Sequence, residues 1–162
     1  MVIKLFKFGK ISNWIIEGIC VEIYRIFENC EIGKKLRIPK SSYKENRNQY
    51  RASDFIKIIQ EQEGSIKLGV TEKDLYADSL NFVFGEAQFK GTAGIISIKR
   101  LKPENINQNK NLLIERSTKE AIHEIGHMKG YKHCKNSECV MNFSKNLKEV
   151  DNKGMSFCKE CK

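Results

Sequence analysis

Residues 123–133 read HEIGHMKGYKH and contain all three histidines of the 162-residue chain. His123 and His127 are four residues apart, so in an α-helix both imidazoles lie on one face, about one turn apart. Glu124 lies about 100° around the helix from His123, close to both rings. Gly130 can adopt the left-handed conformation that ends a helix, which lets the chain fold back and deliver His133. The spacing therefore predicts three converging imidazoles at the end of a helix.

Three converging neutral imidazoles form a metal site. Zn²⁺ with three protein ligands keeps its fourth tetrahedral position for water, which is the arrangement of a catalytic site rather than a structural one. The alternative, three unrelated histidines on an ordinary helix, leaves Glu124 and Gly130 without a role. We therefore predict that His123, His127 and His133 bind a catalytic zinc ion.

Four of the six cysteines follow the last histidine, in a polar segment with little apolar periodicity. They form two close pairs, Cys134 with Cys139 and Cys158 with Cys161. Four thiolates make a closed tetrahedral zinc site, and the alternatives are two disulfides or a redox-active pair. We expect a structural zinc ion whose binding, worth ~10–16 kcal/mol in zinc-finger peptides, orders the segment 131–162. Cys20 and Cys30 are expected to be core-filling or free thiols.

The two proposed metal sites are adjacent in sequence. His133 and Cys134 are consecutive, so their Cα atoms are about 3.8 Å apart. The closed cysteine site would then hold the third ligand of the histidine site in place. We therefore predict that loss of the structural zinc weakens metal binding at the histidines.

Composition narrows the class of protein. Hydrophobic residues make up 40% of the chain and charged residues 30%, which is enough apolar material for a packed domain and excludes a wholly disordered chain. The formal net charge is +9, but 23 of the 29 basic residues are lysines, whereas nucleic-acid binders rely on arginine. We expect a solvated lysine-rich surface and no specific nucleic-acid partner, with weak polyanion binding left open. No signal-peptide core or apolar run of ~20 residues occurs, so we expect a cytoplasmic protein without membrane contact.

Apolar periodicity predicts a mixed α/β arrangement ahead of the histidines. Residues 2–8 alternate apolar and basic, which predicts a strand with one buried face. Further strands are predicted over 36–38, 65–71, 81–84 and 93–101, with a loop over 40–48. Helices are predicted over 13–27, from Ser53 or the residues just before it to about residue 64, and over about 111–129 or from 117. Because the last two strands follow one another without a helix between them, we expect a mixed sheet with an antiparallel edge.

The histidine and cysteine pattern resembles the archaemetzincins, a branch of the metzincin zinc metalloproteases. H-E-x-x-H alone is only moderately specific, but its extension through Gly130 and His133 into the four cysteines is highly specific. Residues 49–53 (QYRAS), 74–76 (DLY) and 80–87 (LNFVFGEA) also resemble that family, so the resemblance covers most of the chain. Met141 and Cys158 enclose 16 residues, one fewer than the family pattern.

The resemblance implies a metzincin-like zincin fold of the α+β class. Its expected parts are a mixed twisted sheet with an antiparallel edge strand, packed helices, an active-site helix and a small zinc-stabilised C-terminal subdomain. Glu124 matches the general base and acid, and Met141 matches the methionine of the turn beneath the zinc. The upper edge strand, along which substrates lie extended, matches Phe82, Val83, Phe84 and Gly85.

We therefore expect a zinc metallopeptidase that hydrolyses peptide bonds through a zinc-bound water activated by Glu124. Two Zn²⁺ ions per chain are expected, one catalytic and one structural. The alternative is a weak or inert zinc protein that binds a peptide or protein along its edge strand. The chain is expected to be one monomeric domain over residues 1–162, with an N-terminal α/β part to residue 130 and a cysteine-rich part over 131–162. Aminopeptidase and endopeptidase activity stay unresolved.

Overall fold

The computed structural model describes residues 1–161. Its strands, in chain order, are β1 (Ile3–Phe8), β2 (Glu31–Ile32), β3 (Tyr43–Lys44), β4 (Gln49–Arg51), β5 (Ile66–Thr71), β6 (Leu75–Tyr76), β7 (Gly85–Ala87) and β8 (Ala93–Ser97). Its helices are α1 (Asn13–Phe27), α2 (Ala52–Gln60), α3 (Lys110–Met128) and α4 (Leu147–Asn152). A main sheet has the order β2-β1-β5-β8-β7, and β3, β4 and β6 form a small second sheet.

The main sheet is mixed. Strands β2, β1, β5 and β8 run parallel, whereas β7 pairs with β8 in the antiparallel direction and lies at the edge. Gly85 pairs with Ile96 and Ala87 with Gly94, so only three residues of β7 make up this edge. The predicted antiparallel edge strand of an α+β sheet is thereby confirmed.

Helices cover both faces of the main sheet. Ile3 and Leu5 of β1 contact the apolar core that includes residues of α1 and α3, whereas Phe6 and Phe8 contact the core that includes α2. The expectation that β1 has a single buried face was therefore wrong. The reason is its position in the sheet: β1 lies between β2 and β5, and helices pack on both sides of it.

Several element boundaries differ from the prediction. Residues 36–38 are not a strand; Leu36 makes only a bridge to Phe8, and Glu31–Ile32 pairs with β1 instead. The predicted loop over 40–48 holds a 3₁₀ turn (Lys40–Ser42) and β3. Helix α2 begins at Ala52, as predicted, but it ends at Gln60 rather than near Gly64, and β8 ends at Ser97 rather than at Leu101. These segments are short, so side-chain patterns alone predict their ends poorly.

Cys20 and Cys30 form a disulfide, with Cα atoms 5.6 Å apart. The expectation of core-filling or free thiols was wrong on their bonding, although both residues do contact the core beside α1. Glu28, which caps α1, has a left-handed conformation with φ of 57°. The chain turns back there, so Cys30 returns alongside the last turns of α1.

Helix α3 positions the candidate site. It begins at Lys110, so the earlier of the two predicted starts is confirmed, and Ser117 is buried within the helix. The helix packs against α1, β7 and β8 and ends below the edge strand. Beyond it the chain folds back and places α4 against α3. None of the helices within residues 1–161 combines the length and apolarity needed to cross a membrane.

Candidate metal centre

The three histidine side chains converge at the end of α3. His127 Nε2 lies 3.1 Å from His123 Nε2 and 3.2 Å from His133 Nε2. Ligand nitrogens about 2.0–2.1 Å from a tetrahedral zinc ion are about 3.3–3.4 Å from one another, so these spacings fit one zinc ion. Gly130 has a φ of +96°. It therefore makes the predicted left-handed turn that returns His133 to the helix.

Backbone carbonyls orient two of the rings. Nδ1 of His123 lies 2.8 Å from the carbonyl oxygen of Val140, and Nδ1 of His127 lies 2.9 Å from that of Tyr131. A carbonyl oxygen can only accept, so each Nδ1 carries the proton and donates it. Each Nε2 is then left with a free lone pair that points into the centre, as in zinc sites with ordered outer-shell partners.

Burial keeps the imidazoles neutral. It lowers the pKa of His123 well below its ordinary value, and the positive charge of Lys153 lowers that pKa further. Burial is also the largest cause of the lowered pKa of His127 and of His133. Neutral rings are the protonation state that binds metal.

Glu124 is buried beside the histidines, with 4% of its surface exposed. Its Oε2 atom has no hydrogen-bond partner within residues 1–161. Burial raises the pKa of Glu124 well above its ordinary value, the negative charge of Glu120 raises it further, and Lys153 lowers it. A buried carboxylate oxygen without a partner is suited to hold a proton or a water molecule.

A cleft of about 580 Å³ opens above the centre. The three histidines and Glu124 lie in its wall. Its apolar lining includes Leu80, Phe82, Val83, Phe84, Phe89 and Phe143. Phe143 is 41% exposed, and its ring lies 5.0 Å from that of His133. Exposed aromatic surface beside a polar centre is typical of a pocket that receives apolar groups.

The edge strand beside the cleft is shifted from its predicted position. Of Phe82, Val83, Phe84 and Gly85, only Gly85 lies in the β7 ladder, which continues to Ala87. Phe84 extends the pairing by one hydrogen bond, since its carbonyl accepts from Ser97 N. Val83 instead bridges to Leu75 of the small sheet, with its N–H donating to the Leu75 carbonyl. The aromatic run therefore crosses between the two sheets rather than forming the strand.

Gly85 brings the edge strand against the glutamate. A Cβ at this position would lie 2.7 Å from Glu124 Oε1 and 2.9 Å from the carbonyl oxygen of Ile95. Glycine therefore allows the backbone of β7 to approach the carboxylate directly.

Met141 is fully buried below α3. It belongs to a small apolar cluster that joins α3 to the cysteine-rich segment and includes Ile122, Val140 and Phe157. Met141 therefore lies against the turn of α3 that carries His123 and His127.

The four C-terminal cysteines also converge. Sulfur atoms of Cys134 and Cys158, of Cys139 and Cys161, and of Cys158 and Cys161 are each 3.7 Å apart. Thiolates at about 2.3 Å from a tetrahedral zinc ion are about 3.8 Å from one another, whereas disulfide sulfurs are about 2.05 Å apart. The spacing fits one metal ion and not the two disulfides that the sequence left open.

The connection between the two clusters is short and hydrogen-bonded. Cys134 N donates to the Met141 carbonyl at 3.0 Å, and the Asn142 side chain donates to the Cys134 carbonyl at 2.9 Å. Tyr131, the residue after Gly130, is not part of the cleft wall. Its ring packs on Phe157, with centroids 4.9 Å apart.

Comparison with known proteins agrees with this site. The family model described as Peptidase family M54 matches residues 9–162. An archaemetzincin of Methanocaldococcus jannaschii is 43% identical over 155 residues, which cover 94% of this chain and 86% of that protein. The crystal structure of the archaemetzincin of Methanopyrus kandleri has a TM-score of 0.86 and 34% identity, and the match covers 99% of this chain and 91% of that chain. The archaemetzincin of Archaeoglobus fulgidus, solved with malonate, has the same TM-score and identity, over 99% and 98% of the two chains.

The fold and the centre define a zinc metallopeptidase. The chain belongs to peptidase family M54, the archaemetzincins. The resemblance noted from the histidine and cysteine pattern is thereby confirmed.

Proposed function

We propose that the histidine centre hydrolyses peptide bonds, with Glu124 as general base and general acid. The observation that carries this proposal is the convergence of three Nε2 atoms beside a buried carboxylate whose Oε2 atom has no partner within the described chain. A metal site that only stabilised the fold would have a fourth protein ligand and no need of this carboxylate.

The residues divide the chemistry between them. Zinc held by His123, His127 and His133 would supply Lewis acidity, which lowers the pKa of water and polarises a peptide carbonyl. Glu124 accepts the proton of the attacking water, and its raised pKa suits it to keep that proton in the buried site. It then gives the proton to the leaving amine.

The substrate is proposed to be a peptide or protein segment lying along β7. This strand is the outer strand of the main sheet and borders the cleft, so its free backbone groups can pair with an extended peptide. The apolar walls favour a bulky apolar side chain next to the scissile bond. We propose that the peptide runs antiparallel to β7.

The second metal is proposed to be structural. The four cysteine sulfurs lie within 4.8 Å of one another, and a zinc ion bound by four thiolates leaves no position for substrate. With the histidine centre this makes two Zn²⁺ ions per chain.

A second candidate function is a zinc protein that binds a peptide along β7 without cleaving it. The free edge and the apolar cleft serve binding as well as catalysis. The buried Glu124 favours hydrolysis, because peptide capture alone gives no reason to bury an unpartnered carboxylate beside the metal ligands.

The test is cleavage of a peptide library by zinc-loaded protein, read by mass spectrometry. Glu124→Gln should keep the zinc content and lower the cleavage rate by about 10²–10⁴-fold, the usual contribution of a general base. Glu115→Gln is the matched control, since Glu115 is on the same helix with 46% of its side chain exposed, and it should cleave like the wild type. A wild type no more active than Glu124→Gln on every peptide would instead support the binding function.

A further inference from the structure

A buried lysine lies behind the histidine cleft. Lys153 is 2% exposed, and its Nζ lies 2.9 Å from Glu120 Oε1. The same Nζ donates to the carbonyl of Asn142, the residue after Met141, at 3.3 Å. Glu120 is itself buried, with 4% exposure. This lysine and glutamate form a buried ion pair.

The Lys153–Glu120 pair is not needed to attach α4 to α3, because neighbouring residues already join the two helices. Arg116 makes a two-point contact with the carboxylate of Asp151, at 2.7 and 2.8 Å. Lys119 donates to the carbonyls of Val150 and Asp151. A buried ion pair contributes little net stability, since desolvation offsets much of the attraction. The position of Lys153 and Glu120 therefore points to a function at the site.

The pair is close to the metal centre. Glu120 lies in the wall of the cleft, three residues before His123, which is about 4.5 Å along the helix axis. Glu120 is also one turn before Glu124, so the two carboxylates are neighbours on one helix face. Glu120, His123 and Glu124 all lie in the wall of the same cleft, so the charges of the Lys153–Glu120 pair lie beside the centre.

We propose that Lys153 is the counter-ion of Glu120 in the cleft wall, and that this pair sets the charge felt by a metal ion at the three histidines. Without Lys153, two adjacent carboxylates would face a dication, and the centre would hold the metal more tightly. Without Glu120, an unpaired cation would repel the metal. When Lys153 and Glu120 are both present, the charge of Glu120 is balanced. Of the two glutamates on that helix face, only Glu124 then lacks a counter-ion, and it is free to act as a base. Neither Lys153 nor Glu120 is a catalytic residue; both are positioning residues.

The test is the zinc affinity of the histidine centre, measured at pH 8 by chelator competition with the cysteine site kept loaded. Glu120→Gln should weaken zinc binding about tenfold, and Lys153→Met should strengthen it by a similar factor, the order expected for changing one charge near a dication. The double variant should bind within about threefold of the wild type, because the two changes cancel.

The opposite signs separate charge from structural damage. Damage to the fold would weaken zinc binding in both single variants, so shifts in the same direction, or no shift in either, would overturn the proposal. If Lys153→Met does not fold, Glu120→Gln and the double variant still decide: a double variant as weak as Glu120→Gln overturns it. Lys119→Met is the matched control, a buried lysine on α3 that contacts α4, and it should leave the affinity within twofold.

The inference concerns metal affinity and holds whether or not peptides are cleaved. If zinc affinity shifts in opposite directions in the two single variants but the wild type cleaves no peptide, the proposed hydrolysis is refuted and the role of the ion pair is supported. If the wild type cleaves peptides but all variants bind zinc with the same affinity, the proposed hydrolysis is supported and the role of the ion pair is refuted.

Discussion

Gly126 and Met141 are so close that no side chain fits between them. A Cβ at position 126 would overlap Sδ of Met141 and lie 2.9 Å from Cε1 of Phe157. Gly126 is the residue before His127, in the turn of α3 that carries both helical histidines. The methionine therefore supports the metal-binding turn by direct contact with its backbone.

Gly126→Ala should damage the metal centre. The added methyl group forces Met141 or the helix to move, and overpacking of this kind destabilises a core by about 1–3 kcal/mol. Because the shift occurs between His123 and His127, zinc affinity at the histidines should fall as well. Unfolding in urea and chelator competition measure the two effects.

Gly18→Ala is the control for this substitution. Its Cβ would meet the end of the Ile114 side chain in the contact between α1 and α3, away from the histidines. It should alter stability and leave zinc affinity unchanged. Wild-type zinc affinity in Gly126→Ala would show that Met141 does not support the centre.

Loss of the cysteine site should weaken the histidine site. Cys134 follows His133 directly and is bound to the Met141 carbonyl through its N–H, so release of the structural metal frees the third histidine ligand. Cys158→Ser should lose one zinc ion and bind the other at least about tenfold more weakly. The double change Cys20→Ser and Cys30→Ser removes the disulfide and should leave both zinc affinities intact. An unchanged histidine site in Cys158→Ser would contradict the coupling.

Glu124→Gln should change how the stability of the metal-free protein depends on pH. Burial raises the pKa of Glu124 in the folded state, so the folded state binds this proton more tightly than the unfolded chain. The contribution is present at low pH and is lost as the pH rises through the folded-state pKa. The free energy of unfolding of Glu124→Gln, relative to wild type, should therefore increase between pH 5 and pH 8. A difference that stays constant across this pH range would mean that burial does not raise the pKa of Glu124.

Phe143→Ala should reduce selectivity for apolar substrates. The exposed ring beside His133 is part of the cleft wall, and its removal takes away apolar contact area. For peptides with leucine or phenylalanine next to the scissile bond, KM should rise about tenfold, and for those with alanine there it should change little. Tyr24→Ala, an exposed aromatic residue on α1 away from the cleft, should have no effect. Equal changes in KM for both sets of peptides would show that Phe143 does not contribute to specificity.

The histidine centre could be predicted from sequence because its geometry is local. His123, Glu124 and His127 share a helix of fixed period, and Gly130 marks the turn that returns His133. The supporting groups could not be predicted. The carbonyls of Val140 and Tyr131 have no side-chain signature, although they orient two of the rings.

Other features depended on tertiary structure that a local pattern does not record. Lys153 occurs in a polar segment and is typical of a solvated lysine, yet it is buried against Glu120. The disulfide of Cys20 with Cys30 depends on the left-handed turn at Glu28. The aromatic run ending at Phe84 has the composition of a strand but crosses between two sheets. The edge strand therefore begins only at Gly85.

Anomalous diffraction at the zinc absorption edge, from crystals grown with Zn²⁺, would show where the protein binds metal. We expect two zinc peaks, one enclosed by four sulfurs and one about 2.0–2.1 Å from the Nε2 atoms of His123, His127 and His133, with a water as its fourth ligand. No peak at the histidines, or a fourth protein atom in place of that water, would contradict the proposed metal centre.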